Sequence, residues 1–145
     1  MKNSLISVIV PSFNEEDSIA ELHTRTQNVF SHLDRPYEMI FVDDGSTDDT
    51  FIKLKELQSQ DTNLVIIRHF KNRGKSLALM QGFDAARGEI AITLDSDLQD
   101  QPEEIPNFIK KIEDGYDFVN GWRQERQDSG IKRLVSKFFN VLILI

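Results

Sequence analysis

Continuous apolar runs rich in Val and Ile occupy residues 5–10, 39–42, 64–67 and 90–94, each bounded by polar turn residues. Runs of this length without polar alternation predict strands buried on both faces, the pattern of a parallel sheet. A fifth candidate strand covers 118–120. Between the runs the apolar positions change to helical spacing. Ile19, Leu22, Thr26, Val29, Phe30 and Leu33 mark one helix, and Phe51, Leu54 and Leu57 mark a second. The predicted order is β-α-β-α-β-α-β-α-β, with no internal repeat or linker. Asn14 or Asp17 is expected to cap the first helix. Ser46 and Thr47 are expected to cap the second, with Asp48 and Asp49 in its first turn, where the helix dipole favours acids. Gly88 suits the end of the third helix. The helix after Pro102 is expected to begin as an irregular turn and become regular near Pro106. Strands alternating with crossover helices predict a doubly wound α/β sheet, and such sheets bind ligands at the carboxyl ends of their strands.

Composition narrows the function. At 145 residues with 39% apolar side chains, the chain has the length and core of a single domain spanning 1–145. Its 17 basic and 24 acidic residues leave a net charge of −7, which argues against a nucleic-acid partner, because phosphate backbones demand a basic face. Without cysteine there are no disulfides and no thiolate metal sites. The first ten residues read as a strand and not as a signal peptide. At the other end, residues 138–145 read FFNVLILI and stop without a cap or polar tail, so the domain is expected to be incomplete there. That run is far short of the roughly 20 apolar residues a spanning helix needs. If the chain ends at Ile145, the apolar positions 131, 134, 135, 138, 139, 142 and 145 form a helical stripe expected to dimerise, meet a membrane surface or remain aggregation-prone.

The strand ends carry the chemistry. After the first run comes Pro11-Ser12-Phe13-Asn14-Glu15-Glu16, which by itself reads as a loop and a helix start. After the second come two adjacent acids, Asp43 and Asp44, then Gly45 for a tight turn. A carboxylate fixed at such a strand end can accept a hydrogen bond from a base or a ribose hydroxyl. After the third, Lys71-Asn72-Arg73-Gly74-Lys75 sets three cations before a helix N-terminus, either a phosphate site or a solvated basic turn. The glycine spacing of a Walker A loop is absent. The fourth run ends in Asp95-Ser96-Asp97, alternating carboxylates that suit a hard divalent ion sharing diphosphate oxygens. An EF-hand is excluded, since its glycine and terminal glutamate are missing. Farther on, Arg123, Arg126, Lys132 and Arg133 make the one strongly basic segment, read either as a loop that holds an anion or as a surface loop. Trp122 is read as packing, and His23, His32 and His69 lack metal-ligand spacing and receive no role.

PSFNEE, VDDGSTDDT, NRGKSLALMQG, LDSDLQDQPEEIP and GWRQER, in this order and spacing, together resemble the inverting glycosyltransferases of family 2. The likeness covers nearly the whole chain and is strongest to the dolichyl-phosphate mannose synthase and polyprenyl-phosphate glycosyltransferase branch. It implies a Rossmann-like GT-A fold, a mostly parallel sheet flanked by helices. It also implies a nucleotide-sugar donor, UDP- or GDP-linked, with Mg²⁺ or Mn²⁺ as cofactor and a polyprenyl phosphate as acceptor. By the same resemblance Pro11, Phe13, Glu15, Asp43 and Asp44 line the nucleotide, and Lys75, at the helix N-terminus that favours a phosphate, and Asp95 are expected to join them. Asp95 and Asp97 hold the metal with Gln99 as a further ligand. Arg123 and Arg126 meet the acceptor phosphate, with Lys132 and Ser136 at a second phosphate contact; Asp95, Asp97 and Arg123 carry catalysis. Phe13 stands where many members have tyrosine, which keeps the stacking face and removes a hydroxyl. Such an enzyme is expected in the cytoplasm, at the cytoplasmic face of the membrane. Two alternatives stay open: a sugar nucleotidyltransferase, whose glycine-rich N-terminal loop is missing here, and a truncated module that binds nucleotide or protein without catalysis.

Overall fold

The structure, a computed structural model, describes residues 4–121. Four of the apolar runs are strands: β1 (Ile6–Ser12), β2 (Tyr37–Asp43), β3 (Leu64–Arg68) and β4 (Ile90–Thr93). They form one parallel sheet in the order β3-β2-β1-β4. Strand β1 is buried along its whole length because it is central and covered on both faces, which is why it lacks alternation. Between the strands lie α1 (Ile19–Leu33), α2 (Thr50–Gln60) and α3 (Lys75–Ala85). After β4 come a 3-10 turn (Pro102–Glu104) and α4 (Ile105–Glu113), so the helix after Pro102 begins and becomes regular as expected.

Strand side chains alternate between two cores. Ile6, Val8, Val10, Met39, Phe41, Leu64 and Ile92 pack against Ile19, Leu22 and Phe30 of α1, Leu54 of α2 and Ile105 and Ile109 of α4. On the opposite face a smaller cluster of Ile9, Ile40, Val42 and Ala78 lies under α3. Close approach of α3 to the sheet depends on Gly82, where a Cβ would collide with Ile9 Cγ2. The chain runs from β1 through β2 to β3 in one direction, then crosses back on α3 to place β4 on the other side of β1. The reversal opens a crevice between the carboxyl ends of β1 and β4, where doubly wound sheets bind their ligands.

Three local expectations are corrected. Residues 118–120 are not a strand: among the described residues nothing pairs with them, and Phe118 stands 82% exposed. A run with no neighbouring strand to take up its N–H and C=O groups cannot persist as one. The helix caps are also displaced. Helix α2 starts at Thr50 behind Asp49, and α1 starts behind Ser18, neither with a side-chain capping bond. Ser46, Thr47 and Asn14 are engaged instead in bonds between loops. Gly88 lies beyond the end of α3, against β1, where a Cβ would meet the Leu5 carbonyl and Ser7 within 2.7 Å.

Candidate active site

Loops after β1 and β2 are stitched together by reciprocal hydrogen bonds. The backbone N–H of Asn14 donates to Ser46 Oγ at 3.0 Å, and Asn14 Oδ1 accepts from the Thr47 N–H at 2.9 Å. Glu15 N–H donates to Thr50 Oγ1 at 2.8 Å, and Glu16 Oε2 accepts from the Asp49 N–H at 2.9 Å. The side chains of Asn14, Ser46 and Thr50 thus satisfy backbone groups of the neighbouring segment, which a local capping rule cannot foresee.

The two acids after β2 divide into two roles. Asp43 is fully buried; its Oδ1 accepts from the Ser46 N–H at 2.9 Å, and its Oδ2 lies 3.2 Å from Arg68 Nε in an ion pair without hydrogen-bond alignment. Asp43 therefore closes the turn and does not line the cleft. Asp44 does line it. Its Oδ1 accepts from the Arg73 N–H at 2.8 Å and pairs with His69 Nδ1 at 2.5 Å, and its Oδ2 accepts from the Gly74 N–H at 2.7 Å. Burial raises the Asp44 carboxyl pKa, but these donors outweigh burial and hold it below the ordinary carboxylate range. Asp44 is ionised at neutral pH and anchors the loop that delivers Lys75. His69 Nε2 pairs with Gln81 Oε1 of α3 at 2.5 Å, so the imidazole ties that loop to its helix. Spacing rules gave His69 no role; its one signal in the sequence is a titratable residue directly after an apolar strand.

Gly45 permits the close approach of these loops. Its φ is +76°, and a Cβ there would lie 2.5–2.7 Å from the backbone of Lys71 and Asn72. Gly45→Ala is expected to destabilise the protein by about 2 kcal/mol, from left-handed strain plus a backbone clash. Urea unfolding measures it, and an unchanged midpoint would contradict the close approach of the two loops.

The cleft these loops build holds about 280 Å³ and is lined by Pro11, Ser12, Phe13, Glu15, Asp44, Asn72, Lys75, Ala78, Asp95, Ser96 and Asp97. Phe13 offers a half-exposed ring at one wall. Ser96 Oγ donates to the Pro11 carbonyl at 3.1 Å and pins the acidic turn to the end of β1. Within the turn, the Asp95 N–H donates to Asp100 Oδ2 at 2.9 Å and the Gln99 N–H to Asp97 Oδ1 at 3.1 Å. Leu98 holds a φ of +62°, a left-handed conformation uncommon for a bulky apolar residue and concentrated at functional turns. Lys75 reaches across from α3, its Nζ 2.5 Å from Asp95 Oδ1. Gln99 is exposed and does not line the cleft. Arg123, Arg126, Lys132, Ser136, Trp122 and the apolar stripe of the last residues lie outside the described residues.

A pair of carboxylates on a cleft wall fits a hard divalent cation, which takes few protein oxygens and completes its shell with water and ligand phosphate. No group of three or more metal-binding side chains occurs among the described residues.

An α/β sheet of this order with an acidic cleft at its switch point defines a GT-A-like fold. The chain belongs to glycosyl transferase family 2, whose family model matches residues 7–142. It is 42% identical over 139 residues to the undecaprenyl-phosphate 4-deoxy-4-formamido-L-arabinose transferase of Klebsiella pneumoniae (strain 342), covering 95% of this chain and 42% of the relative. The chain therefore spans less than half the length of that protein. Among solved structures it resembles the Mycobacterium tuberculosis glucosyl-3-phosphoglycerate synthase in complex with Mn²⁺ and UDP-Glc, with a TM-score of 0.60, 26% identity, and 77% of this chain and 40% of that one covered. A mannosyltransferase from Pyrobaculum calidifontis, in complex with GDP-Man and Mn²⁺, matches with a TM-score of 0.55, 27% identity, and 66% and 28% coverage.

Proposed function

We propose that the cleft binds a UDP- or GDP-linked sugar and that the sugar passes, with inversion at its anomeric carbon, to a polyprenyl phosphate. The observation that carries this reading is the convergence of Phe13, Asp44, Lys75, Asp95 and Asp97 on one cleft at the β1/β4 switch point. Support comes from relatives named as undecaprenyl-phosphate sugar transferases and from similar structures that hold UDP-Glc or GDP-Man with Mn²⁺.

Each residue has a physical task. Phe13 stacks on the base, and Asp44, kept ionised by its backbone donors, accepts from a base N–H or a ribose hydroxyl. Lys75 faces the diphosphate. Asp95 and Asp97 would hold Mg²⁺ or Mn²⁺, which supplies charge neutralisation to the departing diphosphate. The acceptor's phosphate oxygen attacks the anomeric carbon from the face opposite the diphosphate, whose oxygen leaves with the bonding electron pair. That phosphate is already anionic at neutral pH, so it needs orientation and not a general base. Arg123 and Arg126, with Lys132 and Ser136, are assigned to the acceptor side. A lipid acceptor puts the enzyme at the cytoplasmic face of a membrane. No helix among the described residues is long and apolar enough to cross one.

Calorimetric titration with UDP and with GDP, each with Mn²⁺ and with chelator, is the test. Metal-dependent binding of one nucleotide is expected and would identify the donor class. Binding of neither would return the chain to the reading of a non-catalytic module.

A further inference from the structure

The Lys75–Asp95 contact sets a cationic side chain on one of the two carboxylates of the cleft. The ammonium lies 2.5 Å from Asp95 Oδ1 and brings a positive charge to a carboxylate that the proposed function gives to the cation. The lysine side chain is 59% exposed and the aspartate side chain 27%, so water screens the pair. Exposed pairs of this kind hold their partners by less than about tenfold, and a stronger anion displaces them readily. The other anchors of the segment are different in kind. Gly74, next to Lys75, is held by Asp44 through its backbone N–H, and His69 ties Asp44 to α3. The backbone under Lys75 is therefore fixed, while its side chain can exchange one anion for another by rotation alone.

We infer that Lys75 is a latch. In the nucleotide-free protein it neutralises Asp95 and opposes metal entry. When a nucleoside diphosphate enters, the ammonium moves to the phosphate oxygens and gives up its contact with Asp95 Oδ1. Metal and nucleotide are then coupled through this side chain: each weakens a contact that opposes the other, and the coupling must be equal in both directions. This inference rests on the proposed function and adds the order of assembly of that site. A simple phosphate-binding lysine predicts only weaker nucleotide binding when it is removed, whereas a latch predicts two effects of opposite sign.

The test is Mn²⁺ binding, followed by the paramagnetic resonance of free Mn²⁺ in solutions of wild type, Lys75→Met and Lys75→Arg, without nucleotide and with UDP or GDP. Without nucleotide, Lys75→Met is expected to bind Mn²⁺ about three- to tenfold more tightly than wild type, the range set by losing one exposed ion pair and its repulsion of the ion. Lys75→Arg keeps the charge and stays near wild type. The factor by which nucleotide tightens Mn²⁺ binding shrinks in Lys75→Met by a similar amount, while affinity for the nucleotide itself falls. Equal or weaker Mn²⁺ binding by nucleotide-free Lys75→Met overturns the latch, even where wild type binds metal with nucleotide. Wild type that takes up no Mn²⁺ with either nucleotide overturns the metal reading of the cleft, and the latch with it. Because the Lys75 side chain is exposed, matching thermal melts of the three proteins are expected.

Discussion

Replacing Asp97 by asparagine is expected to remove metal-dependent nucleotide binding and to slow sugar transfer by about 10²–10³-fold, the scale on which one group stabilising a leaving charge acts. The substitution is nearly isosteric, and the structure shows what it spares. Asp97 is exposed, and its Oδ1 accepts from the Gln99 N–H, a bond that an amide oxygen also makes. The turn should therefore keep its shape, leaving charge as the variable. On the proposed function Asp97 would meet the cation as an ionised carboxylate, and a neutral amide oxygen in its place would hold the ion more weakly. Calorimetry with Mn²⁺ and with chelator separates the outcomes. If the variant binds nucleotide as the wild type does, with the same response to metal, Asp97 is not a ligand and the assignment fails.

The second large effect lies at the opposite end of the sheet and concerns stability alone. Glu38 is 2% exposed at the start of β2, beside Ser7 in the β1–β2 register. Its Oε1 accepts from Ser7 Oγ and from the Arg87 N–H, both at 2.7 Å. Its Oε2 accepts from Arg87 Nε at 2.9 Å and from a terminal guanidinium nitrogen at 2.7 Å. Gly88 N–H donates to Ser7 Oγ at 2.8 Å, which completes a knot holding the segment after α3 to the sheet. Glu38→Ala leaves the buried Ser7 hydroxyl without its acceptor and a void beside it, while the exposed Arg87 guanidinium turns to water, and is expected to cost about 3 kcal/mol.

The pH dependence has a definite sign. Burial raises the Glu38 carboxyl pKa, but the Ser7 hydroxyl and the backbone and guanidinium of Arg87 outweigh it and hold the group below its ordinary value of 4.5. A carboxylate with a lowered folded pKa stabilises fully above its unfolded value, and that contribution fades as pH falls through the folded one. The gap in unfolding free energy between wild type and Glu38→Ala should thus be constant near neutrality and narrow below about pH 4.5, where the unfolded carboxyl takes up its proton. A gap that widens in acid would show the network to be held by something other than the ionised carboxylate. Nucleotide affinity near neutral pH should change little, because Glu38 lies at the far end of the strands from the cleft.

The strands were legible because β1 and β2 are buried on both faces, so apolarity runs through 5–10, Ser7 apart, and 39–42, and the structure extends those runs by only a few end residues. The acids and cations of the candidate site were legible for a related reason: in a doubly wound sheet, the residues after each strand lie at the ligand-binding edge. Phe13, Asp44, Lys75, Asp95 and Asp97 do meet there. Local rules failed where a residue's partner lies far along the chain. Ser46 and Thr47 looked like helix caps but bond Asn14 across 32 and 33 residues, and His69, lacking any metal spacing, is placed by Asp44 and Gln81. Phe118 shows the same limit from the other side, since an apolar run becomes a strand only beside another strand.

Periodicity and turn chemistry act over a few residues, so the sequence by itself determined the α/β alternation, the loops that carry chemistry and the family. Separating Asp43, which closes a turn, from Asp44, which faces the cleft, required the tertiary structure. So did the burial of Glu38 against Arg87 and the placing of Lys75 on Asp95. Those contacts join segments 20 to 49 residues apart, and their geometry exists only once the sheet has brought the strand ends together.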